Sequence, residues 1–229
     1  MIALLIILAE KRLLPDAIIR FGIKRLCRQR LAEATGPNEA AMEQEHAAWI
    51  DVLKESPIAL VPQKANEQHY EVPPRLFELI LGNKLKYSSG LWSEGVSSLD
   101  QSEVAMLKLT SQRAGLVDGQ DILELGCGWG SLTLYMAEHL PKSKITAVSN
   151  SNDQRHFIEA RCEERNLKNV EIITADMNDF ETTKLFDRVV SIEMFEHMRN
   201  YEKLLGKVKA WLKNDGKLFV HIFSHQRVA

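Results

Sequence analysis

The chain has 229 residues, 45% of them hydrophobic, which is enough to bury the core of one α/β domain with a smaller helical region. Its formal net charge of −2 gives no overall positive field, so the composition disfavours a nucleic-acid-binding protein. The cysteines Cys27, Cys127 and Cys162 form no Cys-x-x-Cys pair, which disfavours a disulfide framework and a zinc site and favours a reducing, cytoplasmic compartment.

The N-terminal region is predicted to be helical. The apolar segment Met1–Ala9 is too short to span a bilayer and lacks the preceding basic residues of a signal peptide, so we expect a packed helix start. An amphipathic helix follows from Pro15 to Leu31 and carries a basic face of Arg20, Lys24 and Arg28. The favoured interpretation is a solvated face; contact with a membrane surface or an acidic partner is the alternative.

The rest of the chain alternates between helical and strand patterns. Helices are expected at about 39–53, 75–81 and 99–114, while the prolines between Pro57 and Pro74 disfavour a helix there. From Asp121 onward, strands are predicted at 121–126, 144–149, 169–175, 186–192 and 217–223, with helices at about 130–140, 152–166 and 200–212. This alternation predicts an α/β fold with a parallel sheet.

The segment Ile122–Gly130 carries the strongest functional signal. It reads as a buried strand that ends in a Gly126-x-Gly128-x-Gly130 turn, and a helical pattern begins at Ser131. Glycines allow the sharp turn and leave no Cβ between the backbone and a ligand at the end of the strand. A strand, a glycine-rich turn and a helix in this order are typical of α/β domains that bind a nucleoside-bearing cofactor.

The residues near the ends of the first three predicted strands indicate which cofactor is bound. A dehydrogenase would have an acidic residue at the end of the second strand, but this strand ends in neutral polar groups, including Asn150 and Gln154. Glu124 lies near the turn, where it can meet a cationic group, and Asp176 ends the third strand, where it can accept a hydrogen bond from an adenine amino group. This pattern favours S-adenosyl-L-methionine over NAD. Capping roles for Glu124 and Asp176 are alternatives.

Four motifs, taken together, resemble one family. They are Asn66–Pro73, Leu85–Ser88, Leu125–Ser131 and Ile192–Met198. They resemble the S-adenosylmethionine-dependent methyltransferases that join cyclopropane-fatty-acid synthases to coclaurine-type N-methyltransferases, and the similarity runs from about residue 11 to the end. The resemblance implies the class I methyltransferase (Rossmann-like) fold with an N-terminal helical cap. It implies that Tyr87 and Ser88 close over the methionine part of the cofactor, and that Gly126, Gly128, Gly130, Asn150, Gln154 and Asp176 line the rest. We add Glu124 and Ile192 to this predicted cofactor site.

Two positions favour one branch of this family. Cyclopropane synthases carry a cysteine where this chain has Ser89 and a glycine where it has Glu193, and the cysteine helps to hold a bicarbonate ion that acts as base. The segment Glu193-Met-Phe-Glu-His197 resembles the N-methyltransferase branch, which implies N-methylation of a small amine. Alkylation of a lipid acyl chain and a non-catalytic cofactor-binding protein remain the alternatives.

The end of the fourth strand is the expected catalytic region. Glu193, Glu196 and His197 follow this strand at the edge where open α/β sheets bind ligands. An amine is protonated at pH 7, so methylation requires a group that accepts its proton and carboxylates that stabilise its charge. The alternative is that Glu196 caps the following helix and His197 packs beneath it.

The resemblance also predicts the domain organisation. We divide the chain into a helical cap over substrate and cofactor, residues 1–98, and a Rossmann-like cofactor-binding domain, residues 99–229. The class I fold ordinarily closes with an antiparallel hairpin after the fifth strand, and we expect that hairpin to be missing here. An open fifth strand would favour association, so a homo-oligomer is possible.

Overall fold

The computed structural model describes residues 2–35, 38–60 and 74–224. These residues divide into two compact units: one contains the described residues through Asp51 together with Ser224, and the other runs from Val52 to Phe223. The motif Asn66–Pro73 lies outside the described residues. The predicted boundary between residues 98 and 99 stays a prediction.

Helices make up the first unit. Helix α1 is Ile2–Glu10, α2 is Asp16–Thr35, and α3, Glu39–Glu55, continues into the second unit. Helix α2 begins directly after Pro15, as predicted, because proline suits the start of a helix but lacks the N–H that a helix interior needs. Among the described helices, none combines the length and the apolar character that crossing a membrane requires.

A five-stranded parallel sheet forms the centre of the second unit. Its strands are β1 Asp121–Leu125, β2 Lys144–Ser149, β3 Val170–Thr174, β4 Phe186–Ile192 and β5 Leu212–His221, in the spatial order β3-β2-β1-β4-β5. The helices of this unit are α4 Pro74–Ile80, α5 Leu99–Ala114, α6 Ser131–His139, α7 Asn152–Glu164 and α8 Tyr201–Trp211. The predicted α/β class with a parallel sheet is confirmed, and the carboxyl ends of the strands lie at one edge.

Apolar side chains cover both faces of the sheet. Leu123 and Val189 are fully buried in a cluster that includes Trp211 of α8. Ile122 and Val190, their neighbours in sequence, are fully buried in a second cluster that includes Met136 of α6. Successive residues of a strand point to opposite faces, so a sheet covered by helices on both sides needs continuous apolar runs.

Strand β5 begins earlier than predicted. It starts at Leu212, which pairs with Phe186, and an irregularity between Phe186 and Arg188 shifts the register before the predicted start at residue 217. Asp215 and Gly216 resemble a turn in sequence, but a Cβ at Gly216 would lie 2.8 Å from the carbonyl oxygen of Phe186. The glycine therefore permits close strand contact. The other predicted helices and strands of this unit end within two residues of their predicted bounds.

Candidate active site

A cavity of about 810 Å³ lies at the carboxyl ends of the strands. Its walls include Gly126 after β1, Asn150 after β2, Asp176 after β3 and Glu193 after β4, together with the segment 85–88. Open α/β sheets bind their ligands at this edge, and a cavity of this size suits a small organic molecule. Sequence and structure therefore indicate the same edge of the sheet.

The cavity brings together nearly all the residues predicted from the sequence. Those that line it are Tyr87, Ser88, Glu124, Gly126, Gly128, Asn150, Gln154, Asp176, Ile192, Glu193, Glu196 and His197. Gly130, predicted with them, does not line the cavity. A Cβ at Gly130 would lie 2.7 Å from Cγ1 of Ile158, so this glycine allows α6 and α7 to pack closely.

The two glycines of the turn that line the cavity meet different requirements. Both have positive φ angles, +79° at Gly126 and +52° at Gly128, which favour glycine. A Cβ at Gly126 would lie 2.8 Å from Cβ of Met194, whereas one at Gly128 would have no atom within 4 Å. The backbone N–H groups of Gly126 and Cys127 both donate to the carbonyl of Val148, each at 3.0 Å. The turn is thus fixed to β2, and its backbone at Gly128 stays open to the cavity.

Glu124 is a buried carboxyl group in the wall of the cavity. It is 3% exposed and accepts a 2.5 Å hydrogen bond from the hydroxyl of Thr133. Burial raises the pKa of Glu124 to about 7, and the hydrogen bond from Thr133 opposes this rise. Helix α6 has no side-chain cap, so the alternative capping role of Glu124 at that helix is wrong. A cationic ligand nearby would favour the ionised carboxylate.

Asp176 is held in a local turn at the end of β3. Its Oδ1 accepts hydrogen bonds from the backbone N–H of Asn178 at 2.8 Å and from the Asn178 side chain at 3.0 Å. Asn178 in turn exchanges two hydrogen bonds with the backbone of Ala59. Within the described residues, Oδ2 of Asp176 has no hydrogen-bond partner, so it can accept a hydrogen bond from a ligand.

Four residues that line the cavity each have a buried polar atom without a hydrogen-bond partner in the described part of the chain: Trp129, Ser131, Gln154 and Glu196. Gln154 is 2% exposed, and its Oε1 accepts a 2.6 Å hydrogen bond from Ser149. Nε2 of Gln154 and Oγ of Ser131 are both buried without a partner in the part of the chain that the structure describes. A buried donor without an acceptor costs roughly 1–3 kcal/mol. A polar ligand would satisfy both groups. Ser131 was not identified from the sequence, although it directly follows the glycine turn.

Glu193, Glu196 and His197, which follow β4, also line the cavity. Glu193 has a positive φ of +51°, and its N–H donates to the carbonyl of His221 at 2.7 Å. Oε2 of Glu196 is buried and has no partner within the described residues. The N-cap of α8 is Asn200, and the His197 side chain is exposed, so neither capping by Glu196 nor burial of His197 beneath the helix is correct.

A carboxylate from α5 holds the segment that carries Tyr87 and Ser88. Glu103 is 1% exposed and accepts three backbone hydrogen bonds, from Gly82 at 2.9 Å, Lys84 at 2.9 Å and Lys86 at 3.3 Å. The segment 82–86 is therefore wrapped around one buried side chain. These hydrogen bonds join residues about twenty positions apart in the sequence. They hold the backbone that leads into the cavity-lining residues Tyr87 and Ser88.

Lys86 lines the cavity but was not identified as a site residue from the sequence. It is 5% exposed, and its Nζ donates a hydrogen bond to Oγ of Ser88. Burial lowers the pKa of Lys86, while the charges of Glu193 and Glu103 oppose this effect. Only its position inside the motif Leu85–Ser88 could have indicated a site residue, because a lysine is ordinarily expected on the protein surface.

Comparisons with known proteins show which proteins this chain resembles. The family model described as mycolic acid cyclopropane synthetase matches residues 61–228. The chain is 38% identical to the (S)-coclaurine N-methyltransferase of Thalictrum flavum subsp. glaucum over 223 residues, which are 96% of this chain and 61% of that protein.

Two solved structures show the same similarity. A coclaurine N-methyltransferase bound to N-methylheliamine and S-adenosylhomocysteine (SAH) is similar with a TM-score of 0.91 and 36% identity, over 99% of this chain and 65% of that chain. A mycolic acid cyclopropane synthase complexed with SAH and CTAB is similar with a TM-score of 0.62 and 25% identity, over 70% and 57% of the two chains. The chain spans less than two thirds of the length of each of these relatives.

Proposed function

The chain belongs to the mycolic acid cyclopropane synthetase family, and we propose that it transfers a methyl group from S-adenosylmethionine to the nitrogen of a small amine. The observation that carries this proposal is a single cavity that joins the glycine turn after β1 to Glu193, Glu196 and His197 after β4. The stronger similarity to coclaurine N-methyltransferase than to a cyclopropane synthase supports an amine as acceptor.

The cavity wall fits a cofactor that has a nucleoside and an amino-acid part. The open backbone at Gly128 admits close approach, and the unpartnered groups of Gln154 and Ser131 supply donors. Asp176 offers a free carboxylate oxygen for an amino group, and Glu124 can meet a positive charge. We assign these residues, together with Gly126, Asn150, Ile192, Tyr87 and Ser88, to the cofactor site. When bound, S-adenosylmethionine supplies a methyl group activated by a cationic sulfur.

The residues after β4 fit the methyl acceptor. A protonated amine must lose its proton before its lone pair can attack the methyl carbon, and the nitrogen carries a positive charge again once the new C–N bond has formed and the sulfur has left as a neutral thioether. His197 is exposed at the cavity wall, where it can take that proton and pass it to solvent. The unpartnered Oε2 of Glu196 can accept a hydrogen bond from the amine and stabilise its charge. Glu193 adds a second carboxylate.

Ser89 bears on the lipid alternative. This residue occupies the place of the cysteine that, by family resemblance, helps to hold bicarbonate in cyclopropane synthases. Ser89 is exposed and is not among the residues that line the cavity. That placement offers no support for a bicarbonate site here, which favours the amine acceptor over an acyl chain.

A competition assay tests the proposed function. The protein is incubated with S-adenosylmethionine carrying a deuterated methyl group, a panel of tetrahydroisoquinolines, and vesicles of unsaturated phospholipid. We expect the label on an amine nitrogen. Label in acyl chains would support lipid alkylation instead. A protein that binds SAH in calorimetry but labels neither class would be a non-catalytic cofactor-binding protein.

The proposal also covers the cellular compartment, membrane contact and oligomeric state of the protein. Cys27, Cys127 and Cys162 are free thiols, and the latter two are buried, which supports a reducing compartment such as the cytoplasm. The exposed basic side chains Arg20 and Lys24 of α2 keep membrane-surface contact open, and homo-oligomerisation likewise stays a prediction.

A further inference from the structure

We propose that Lys86 binds the carboxylate of the methionine part of S-adenosylmethionine. The hydroxyl of Ser88 orients the ammonium group of Lys86 for that contact. The assignment rests on the proposed location of the cofactor in the cavity at the carboxyl ends of the strands. It does not depend on the identity of the methyl acceptor. Lys86 thereby becomes a residue that recognises the anionic end of the cofactor.

The first observation is the burial of an ammonium group in the cavity wall. Lys86 is 5% exposed, whereas lysine side chains are almost never fully buried unless they are paired. Within the described residues, the only hydrogen bond of its Nζ goes to the Ser88 hydroxyl, and no carboxylate forms an ion pair with it. An ammonium group has three donors, so two remain for a ligand.

The nearby carboxylates do not satisfy these donors. Glu103 is already engaged by three backbone N–H groups, and Glu193 acts on Lys86 through its charge without a direct ion pair. Lys86 therefore faces the cavity as a positive charge that lacks a close counter-ion among the described residues. A buried charge of this kind is costly unless a ligand of opposite sign completes the site.

Charge complementarity selects the ligand group. The acidic residues that line the cavity are Glu124, Asp176, Glu193 and Glu196, and the lysine and arginine residues that line it are Lys86 and Arg199. The cofactor carries two positive groups, its sulfonium and its ammonium, and one negative group, its carboxylate. The acidic wall suits the positive groups, and the carboxylate requires a cation. Lys86 lies two residues before Ser88, which lines the same cavity and which we assign to the cofactor site.

The segment is also rigid enough for selective binding. Glu103 fixes the backbone at Gly82, Lys84 and Lys86. The ammonium of Lys86 is then held by a hydroxyl two residues further along the chain. A cation whose backbone and head group are both fixed before the ligand arrives loses less conformational entropy on binding, which favours affinity.

A two-by-two comparison tests the assignment. Calorimetry measures the affinity of wild-type protein and Lys86→Met for SAH and for decarboxylated SAH, in which hydrogen replaces the carboxylate. We expect Lys86→Met to weaken SAH binding about tenfold or more, as for loss of a charge-assisted hydrogen bond, and to change binding of the decarboxylated analogue less than about threefold. Comparing variants cancels any general effect of ligand charge in the acidic cavity.

Lys84→Met is the matched control. Lys84 belongs to the same segment, but its Nζ pairs with Glu138 at 2.7 Å and it does not line this cavity. This variant should retain the wild-type preference for SAH. Lys86→Gln gives a second neutral variant and Lys86→Arg a charged one; the first should lose the preference and the second should retain part of it.

The outcomes separate the possible roles of Lys86. If Lys86 acts only as a counter-ion for Glu193 or as a packing residue, its replacement will weaken both ligands equally or neither, and the assignment is overturned. Should the neutral variants not fold, the wild-type protein decides: tenfold tighter binding of SAH than of the analogue supports carboxylate recognition, and equal affinity refutes it. Folded wild-type protein that does not bind SAH would contradict the proposed function itself.

Discussion

Glu124→Gln should make the protein more stable near neutral pH and weaken its cofactor binding. Burial raises the pKa of Glu124 from an ordinary value of 4.5 to about 7, because the ionised carboxylate is poorly solvated at 3% exposure. Glutamine keeps an oxygen that can accept the hydrogen bond from Thr133 but carries no charge. The variant therefore removes the cost of ionisation in the folded protein while retaining the local contact.

The magnitude follows from the difference between the folded and unfolded pKa. One pKa unit corresponds to about 1.4 kcal/mol, so ionising Glu124 costs the folded state up to about 3 kcal/mol. Because folding raises the pKa of Glu124, the free energy of unfolding decreases as the pH rises through this range. The wild-type protein has its full stability from this group below pH 4.5 and loses it as the pH rises toward 7. The stability advantage of Glu124→Gln should grow across the same interval and level off above it.

Urea unfolding of both proteins between about pH 3 and 8, followed by tryptophan fluorescence, measures this difference. Trp129 and Trp211 are buried in the second unit, so they report its unfolding. Glu138 provides a control of opposite sign. Burial raises the pKa of Glu138, but the hydrogen bonds from Lys84 and Arg165 outweigh this effect, so the pKa is lowered from its ordinary value of 4.5. The stability that ionised Glu138 contributes is therefore present above pH 4.5 and is lost as the pH falls through its pKa in the folded protein. A stability difference for Glu124→Gln that does not change with pH would refute the reasoning.

Three further predictions concern the turn, the acceptor side and the segment held by Glu103. Gly128→Val should weaken SAH binding at least tenfold in calorimetry while the protein stays folded, because its side chain projects into the open space beside the turn; unchanged affinity would place the site elsewhere. Glu196→Gln and His197→Ala should lower turnover about 10²–10⁴-fold with little change in SAH affinity. A fall in both the melting temperature and the SAH affinity of these variants would instead indicate structural roles. Gly82→Ala should lower the melting temperature, because its Cβ would lie 2.6 Å from a carboxylate oxygen of α5; Gly206→Ala, exposed in α8 with no atom within 4 Å, should raise stability by roughly 0.5–1 kcal/mol.

The sequence predicted the sheet, and most of the residues it singled out line one cavity, because their signals are local. Continuous apolar runs separated by helical patterns identify the parallel strands, and the glycine turn directly after β1 identifies the ligand-binding edge. The start of β5 could not be predicted, since Asp215-Gly216 reads as a turn and only the contact with Phe186 shows that it is strand.

Long-range contacts account for the remaining differences. Gly130 belongs to the glycine motif, but its lack of a side chain is explained by Ile158, which lies on another helix. Lys86 is buried because Glu103, from a different part of the chain, folds the segment 82–86 around itself. Neither partner is identifiable from spacing within a motif.

A crystal structure of the protein with SAH and a bound tetrahydroisoquinoline would test the central claim most directly. We expect SAH along the turn at Gly126 and Gly128, and the amine nitrogen within hydrogen-bond distance of Glu196, about 2.6–3.2 Å. An amine bound away from Glu193, Glu196 and His197, or SAH bound outside this cavity, would contradict it.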